Sequence, residues 1–188
     1  MKIIKNKIVI ASHNEGKISE IKEIFNDFKY QVYSSKEFKL EEPEETGSSF
    51  EENALIKAKF TSKKTGFVSL SDDSGLCIDA LDGQPGVYSA RYAGKDKNFY
   101  LAMNVLQKKM IKKSNKKCKF VCALSLCWPN GFNFTVRGEI YGNFVWPPRG
   151  NLGFGYDPIF QPLGMEKTFA EINPKLKHSI SHRSRAFE

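Results

Sequence analysis

Short apolar runs, polar loops and stretches of helical spacing alternate along this chain and set out its elements. Ile8-Val9-Ile10-Ala11 is a continuous apolar run of strand length. Ile18, Ile21, Ile24, Phe25 and Phe28 then recur at helical spacing, so a strand, a polar loop and a helix open the protein. Ser49-Phe50-Glu51-Glu52 has the Ser/Glu spacing of a capping box, and Ala54, Leu55, Ala58 and Phe60 continue it as a second helix. That helix leads into Gly66-Phe67-Val68-Ser69-Leu70, a buried strand that Ser74-Gly75 is predicted to break, placing Asp72 and Asp73 at its exit. Asp96 is expected to cap a third helix carrying Tyr100, Leu101, Val105 and Leu106. Residues 119–128 and 132–141 read as a hairpin around Pro129-Asn130-Gly131. Residues 142–155 are rich in glycine, proline and aromatics, the mark of a long functional loop. The long strands imply a mixed sheet flanked by helices, an α/β protein.

A chain of 188 residues suits one domain, or two lobes sharing a sheet. Its formal charge of +8, from 29 basic and 21 acidic residues, favours anionic partners without separating a nucleotide from a nucleic acid. The pairs Lys108-Lys109, Lys112-Lys113 and Lys116-Lys117 lack the interleaved aromatics of a stacking platform and read as a solvated face. Cys77, Cys118, Cys122 and Cys127 form no Cys-x-x-Cys pair and have no histidine at zinc-ligand spacing, so reduced, mostly buried thiols are expected. The first ten residues hold no apolar run of signal length and nothing later approaches a membrane span, so a cytoplasmic protein without a membrane partner is expected.

The candidate chemistry is spread over several segments. Asp72 and Asp73 in Ser71-Asp72-Asp73-Ser74-Gly75-Leu76 suit a cation-bound phosphate site; since alternate strand residues face opposite ways, one of the two is expected to reach the pocket directly. The same residues also fit a plain Asp-Ser-Gly turn. Ser12-His13-Asn14-Glu15-Gly16-Lys17 has the parts of a phosphate cradle ahead of a helix, although Ser and Asn are also ordinary caps. Glu44 or Glu45, just before the second helix, could join Asp73 around a hard cation such as Mg²⁺, with Mn²⁺ a substitute. Lys57, on that helix, either reaches back toward a triphosphate or a carboxylate or simply faces solvent. Gly153-Phe154-Gly155-Tyr156-Asp157-Pro158 suits base stacking, with Asp157 able to bond a purine edge; packing of the loop onto the core is the plainer alternative. Lys177, His182 and Arg183 supply donors near the end of the chain, or a basic helix terminus.

Together these segments give the chain a resemblance, over nearly its whole length, to the inosine triphosphate pyrophosphatase family, which removes noncanonical purine nucleotides from the nucleotide pool. The likeness rests on Ser12-x-Asn14-x-x-Lys17, Glu45-Thr46-Gly47-x-x-Phe50-x-Glu52-Asn53-Ala54, Ser71-Asp72-Asp73-Ser74-Gly75-Leu76, Gly86-Val87-Tyr88-Ser89-Ala90-Arg91-Tyr92, Gly153-Phe154-Gly155-Tyr156-Asp157-Pro158 and Ser181-His182-Arg183. Each is weak or moderate alone; six in order are specific. The resemblance implies one pyrophosphatase domain over residues 1–188, with an elongated mixed sheet, two lobes around a central nucleotide cleft and a homodimeric assembly. It further implies that noncanonical purine nucleoside triphosphates (ITP, dITP, XTP) are hydrolysed to monophosphate and pyrophosphate. By matching motif positions, residues 12–17 would hold the triphosphate, Glu45 and Asp73 would bind Mg²⁺, Lys57 would sit beside the phosphates and Asp73 would double as the base. Ser74, Phe154, Gly155, Tyr156, Asp157, Lys177, His182 and Arg183 would contact substrate and recognise its base. His13 and Glu15 stand at variable places of the family's first loop, and His13 reads as solvent-exposed. The chain stops at Glu188, where such proteins generally continue, so a shortened terminal helix is expected.

The implied chemistry is physically coherent. Water is a poor nucleophile toward a polyanion; a metal offsets phosphate charge and activates water, a carboxylate takes the proton, and lysines stabilise the leaving pyrophosphate. A nonenzymatic nucleic-acid-binding module is the rival from another class, but it has no use for clustered acids that repel phosphate. A pyrophosphatase for modified pyrimidines, or a phosphatase removing only the terminal phosphate, is the rival among enzymes.

Overall fold

The computed structural model describes residues 7–26 and 28–188. The first six residues, part of the segment read as too polar for a signal, lie outside the described set. β1 (Lys7–Ile10) leads into α1 (Glu15–Phe25), β2 (Gln31–Ser34), α2 (Phe50–Thr65), β3 (Val68–Ile78), α3 (Ser89–Tyr92), α4 (Phe99–Met110), β4 (Lys117–Cys127), β5 (Asn133–Phe144), β6 (Phe160–Pro162), α5 (Pro174–Ile180) and α6 (His182–Phe187). Six strands form one sheet in the order β2-β1-β3-β4-β5-β6. β1 is parallel to β2 and β3, whereas β5 and β6 are antiparallel, so the sheet is mixed as expected. Among the described residues no helix is long and apolar enough to cross a membrane.

The chain divides into two compact units, and the division falls at the Asp73–Ser74 peptide inside β3. The first comprises residues 1–73, 123–137 and 187; the second comprises residues 74–122, 138–186 and 188. In the first, the buried apolar side chains include Val9, Ile10, Ile21, Ala54, Ala58 and Leu70, from the opening strands and the inner faces of α1 and α2. In the second, Leu76, Ile78, Leu106, Met110, Phe160 and Phe169 belong to one continuous core cluster.

Four local expectations are corrected. Ser74-Gly75 does not break β3 after Asp73; the strand runs on through both residues to Ile78. Gly75 serves a close approach rather than a turn, because a Cβ there would stand 2.4 Å from both the Gly86 carbonyl oxygen and Ser89 Oγ. The cap of α4 is Asn98, whose side chain accepts from the Leu101 amide, not Asp96. The buried face of α4 is Ala102, Met103, Leu106 and Met110, so of the four residues chosen only Leu106 is buried and Tyr100 is 63% exposed. Phe28 lies beyond the end of α1 and is largely exposed, touching Phe25 with ring centroids 5.8 Å apart. Periodicity identified α1 and α4, but an isolated helix does not say which apolar side finds a partner.

Candidate active site

The first unit gathers acids and lysines along β3. Successive β3 residues point to opposite faces, and Asp72 and Asp73 accordingly meet different lysines. Lys17 Nζ lies 2.6 Å from Asp72 Oδ1, whose side chain is fully buried. Lys57 Nζ donates to Glu45 Oε1 at 2.6 Å and to Asp73 Oδ1 at 3.2 Å. Lys57 is buried, which corrects the solvent-facing alternative. Two carboxylate oxygens from distant parts of the chain are thus drawn around one nitrogen. Burial by itself would lower the Lys57 ammonium, but Asp73 and Glu45 outweigh it and push it up to about 12. Burial raises the Asp73 carboxyl above its ordinary value, a shift that Lys57 and Lys17 oppose without cancelling.

A ridge of ordinary helix chemistry builds the approach to this cluster. Asn14 caps α1, its Oδ1 accepting from the Lys17 amide at 3.1 Å, and Ser12 Oγ accepts from the Asn14 amide at 3.1 Å. Capping therefore describes Asn14, while Ser12 holds the cap residue in place, and the amide-rich start of α1 is left beside Lys17. Glu15, exposed, pairs with Lys36, which holds its carboxyl below the usual range and directs its charge to a lysine outside the loop. His13 is not simply solvent-exposed: Nε2 lies 2.8 Å from the Leu40 carbonyl oxygen, and its backbone amide donates to Glu42 Oε1 at 3.0 Å. Burial would raise Glu42, but the bonds from His13 leave it below its ordinary value.

The structure joins Glu45, Lys57 and Asp73, while Glu44 is exposed. No group of three or more His, Cys, Asp or Glu side chains is arranged to hold a metal among the described residues. Two hard carboxylates do fit Mg²⁺, which is commonly held by one or two such ligands with water and substrate phosphate completing its shell. Asp73 Oδ2 supports the fit, being buried with no hydrogen-bond partner.

The second unit carries a separate aromatic and cationic cluster. Lys177, on α5, is buried with its Nζ 2.5 Å from Asp157 Oδ2, and that nitrogen lies over the Phe154 ring at 4.6 Å from the centroid. Asp157 Oδ2 also accepts from the Phe154 amide at 2.9 Å, which closes the Gly153–Asp157 turn. Tyr156 turns into the core, its hydroxyl donating to the Ser89 carbonyl at 2.8 Å and its ring edge-on to Phe99. The packing alternative therefore holds for its side chain. Burial raises its phenol, which stays protonated. His182 and Arg183 open α6, capped by Ser181 through the Ser184 amide. Arg183 Nη2 reaches Ser74 Oγ at 3.4 Å, and the His182 ring stacks on Phe120 at 4.9 Å with planes 16° apart.

Phe120 and Phe169 are residues that motif reading passed over, and Asn53 stands in a quoted motif but was given no role. Phe120 backs His182, and Phe169 lies under Lys177 at 5.7 Å. Neither carries a chemical signal of its own. Asn53 had one, an amide within the first turns of a helix whose cap is already supplied by Ser49, and its Oδ1 accepts from the Gly47 amide at 2.8 Å.

An α/β protein whose first unit gathers carboxylates and lysines at β3, and whose second unit carries an aromatic and cationic cluster, is of the class equipped to handle a nucleotide with a polyphosphate tail. Residues 8–188 match the Ham1 family, and the chain belongs to that family. It is 50% identical to a dITP/XTP pyrophosphatase from Zymomonas mobilis over 97% of this chain and 88% of that protein. A dITP/XTP pyrophosphatase from Brucella melitensis is 48% identical, covering 98% of this chain and 91% of its own length. Among solved structures, the Staphylococcus aureus Ham1 protein superposes with a TM-score of 0.86 at 40% identity, over 97% of this chain and 94% of the other. A HAM1 protein from Coxiella burnetii gives 0.88 at 39%, over 96% and 94%. The expected family and mixed-sheet fold are thereby established.

Proposed function

We propose that this chain hydrolyses noncanonical purine nucleoside triphosphates, dITP, ITP and XTP, to the monophosphate and pyrophosphate. The observation that carries the reading is the convergence of Glu45 and Asp73 on Lys57, with one Asp73 oxygen buried and unpartnered. Full-length relatives named dITP/XTP pyrophosphatase support the substrate class. Mg²⁺, with Mn²⁺ a substitute, would be held by Glu45 and Asp73 and would supply charge neutralisation at the phosphates and a more acidic water.

In this reading Asp73 takes the proton of the attacking water as its oxygen bonds to the α-phosphorus and the bond to the bridging oxygen breaks. A raised carboxyl suits a general base, since it brings the group closer to working pH. Lys57 holds Asp73 and Glu45 in place and offsets charge on the departing pyrophosphate. Lys17, fixed by Asp72, serves the phosphates together with Ser12, Asn14 and the first turn of α1.

In the second unit, Phe154 offers a stacking face, with Asp157 and Lys177 fixing its loop. His182 and Arg183 supply donors to the purine 6-oxo oxygen, where the amino group of adenine would set donor against donor. A homodimer in the cytoplasm completes the reading on the strength of the family resemblance. The test is a panel of ITP, dITP, XTP, ATP and GTP with Mg²⁺ and separate detection of pyrophosphate and orthophosphate. Pyrophosphate release with strong preference for the first three is expected; release of orthophosphate alone would reject the chemistry.

A further inference from the structure

We infer that Asn53 is a positioning residue for Glu45, an inference that rests on the metal-site reading above and deepens it. Asn53 and Lys57 lie one turn apart on the same face of α2, and each grips one end of Glu45-Thr46-Gly47. Lys57 Nζ holds Glu45 Oε1, and Asn53 Oδ1 accepts from the Gly47 amide. The contact is close: a Cβ on Gly47 would stand 2.7 Å from Asn53 Oδ1 and 2.6 Å from Glu52 Cβ.

Asn53 is not needed to begin the helix. Ser49 and Glu52 already form the capping box, with Ser49 Oγ accepting from the Glu52 amide and Glu52 Oε2 accepting from the Ser48 and Ser49 amides. Gly47 lies outside α2, so its bond to Asn53 fixes the acidic turn against the helix rather than the helix itself. Nor is Asn53 optimised for stability: its side chain is fully buried while Nδ2 has no hydrogen-bond partner. A buried amide with a free donor is costly, and an apolar side chain of similar size would avoid the cost while losing the grip on Gly47. The bond at Gly47 anchors the backbone from which the Glu45 side chain projects, so its carboxylate meets Lys57 from a set position beside Asp73.

The test uses the full chain and Mn²⁺ alone, with free ion measured by electron paramagnetic resonance and folding followed by thermal melting. Asn53→Ala is expected to weaken Mn²⁺ binding about tenfold, the scale of an outer-shell contact, and to add no further loss to Glu45→Gln. Gly47→Ala attacks the same contact from a partly exposed loop, without altering the helix core, and is expected to weaken Mn²⁺ comparably should Asn53→Ala fail to fold. Should Glu45→Gln bind Mn²⁺ as the unaltered chain does, the metal-site reading falls and this inference with it. Glu45→Gln losing Mn²⁺ while Asn53→Ala and Gly47→Ala retain it would overturn the role of Asn53 alone. Equal losses from Asn53→Ala in the presence and absence of Glu45 would overturn it as well, because the residue would then act by another route.

Discussion

At the scale of single residues, the chemistry of the first unit is concentrated in one buried charge group: Lys57 between Glu45 and Asp73, with Lys17 on Asp72. Asp73→Asn removes charge and almost no volume, so turnover is expected to drop by about 10³-fold, within the range of a lost general base, while the melting curve shows a folded protein. Near-normal turnover would take Asp73 out of the mechanism. The coupling to Lys57 also fixes the direction of a pH effect. Asp73 acts as a base only when ionised, and before any metal binds, burial raises its carboxyl above that of an ordinary aspartate. Lys57 opposes that rise by stabilising the carboxylate. Lys57→Met, close in volume, removes the opposing charge, so the acidic limb of kcat/KM is expected to move to higher pH as the rate falls. A limb that stayed in place or moved down would show that the two groups are not coupled.

At the scale of elements, α2 and β3 do the positioning, and their local signals differ in how far they reach. The Ser49/Glu52 box was visible because its chemistry is confined to four residues. Ser49→Ala is expected to cost about 1 kcal/mol in denaturant unfolding while leaving kcat within a small factor, since the box itself touches neither Lys57 nor Asp73. A large loss of kcat at unchanged stability would contradict that separation. The extent of β3 was not legible, because Ser74-Gly75 has the composition of a turn, and only the approach of Gly86 and Ser89 explains a glycine within the strand. Gly75→Ala is expected to destabilise by about 1–3 kcal/mol through overpacking, checked by the same unfolding measurement; a neutral result would mean that the Gly86–Ser89 segment can yield. The face of α4 failed for a related reason. Tyr100, Leu101 and Val105 are apolar, yet they lie on the exposed side.

At the scale of the whole molecule, the two units carry different kinds of chemistry, acids and lysines in one and an aromatic and cationic cluster in the other. Substitutions should sort accordingly. Lys177→Met is expected to compress the kcat/KM preference for dITP over dATP, since it removes the cation that fixes Asp157 and lies over Phe154, whereas Asp73→Asn lowers both rates and leaves their ratio nearly unchanged. Competition assays with mixed nucleotides would measure both ratios, and a preference that collapsed equally in the two variants would refute the division. The residues alone were enough to place β1, α1, α2, the start of β3, α4 and the β4–β5 pair in order, together with the α2 cap and the residue types proposed for the site, because hydrophobic period, capping and ordered motifs are local and survive without a partner. Folding was needed to bury Lys57 between Glu45 and Asp73, to give Asp72 to Lys17, to turn Tyr156 inward and to back His182 with Phe120. Those facts depend on which distant side chains meet when the chain closes its core, and pairing across long separations in sequence leaves no periodic trace in the residues that take part.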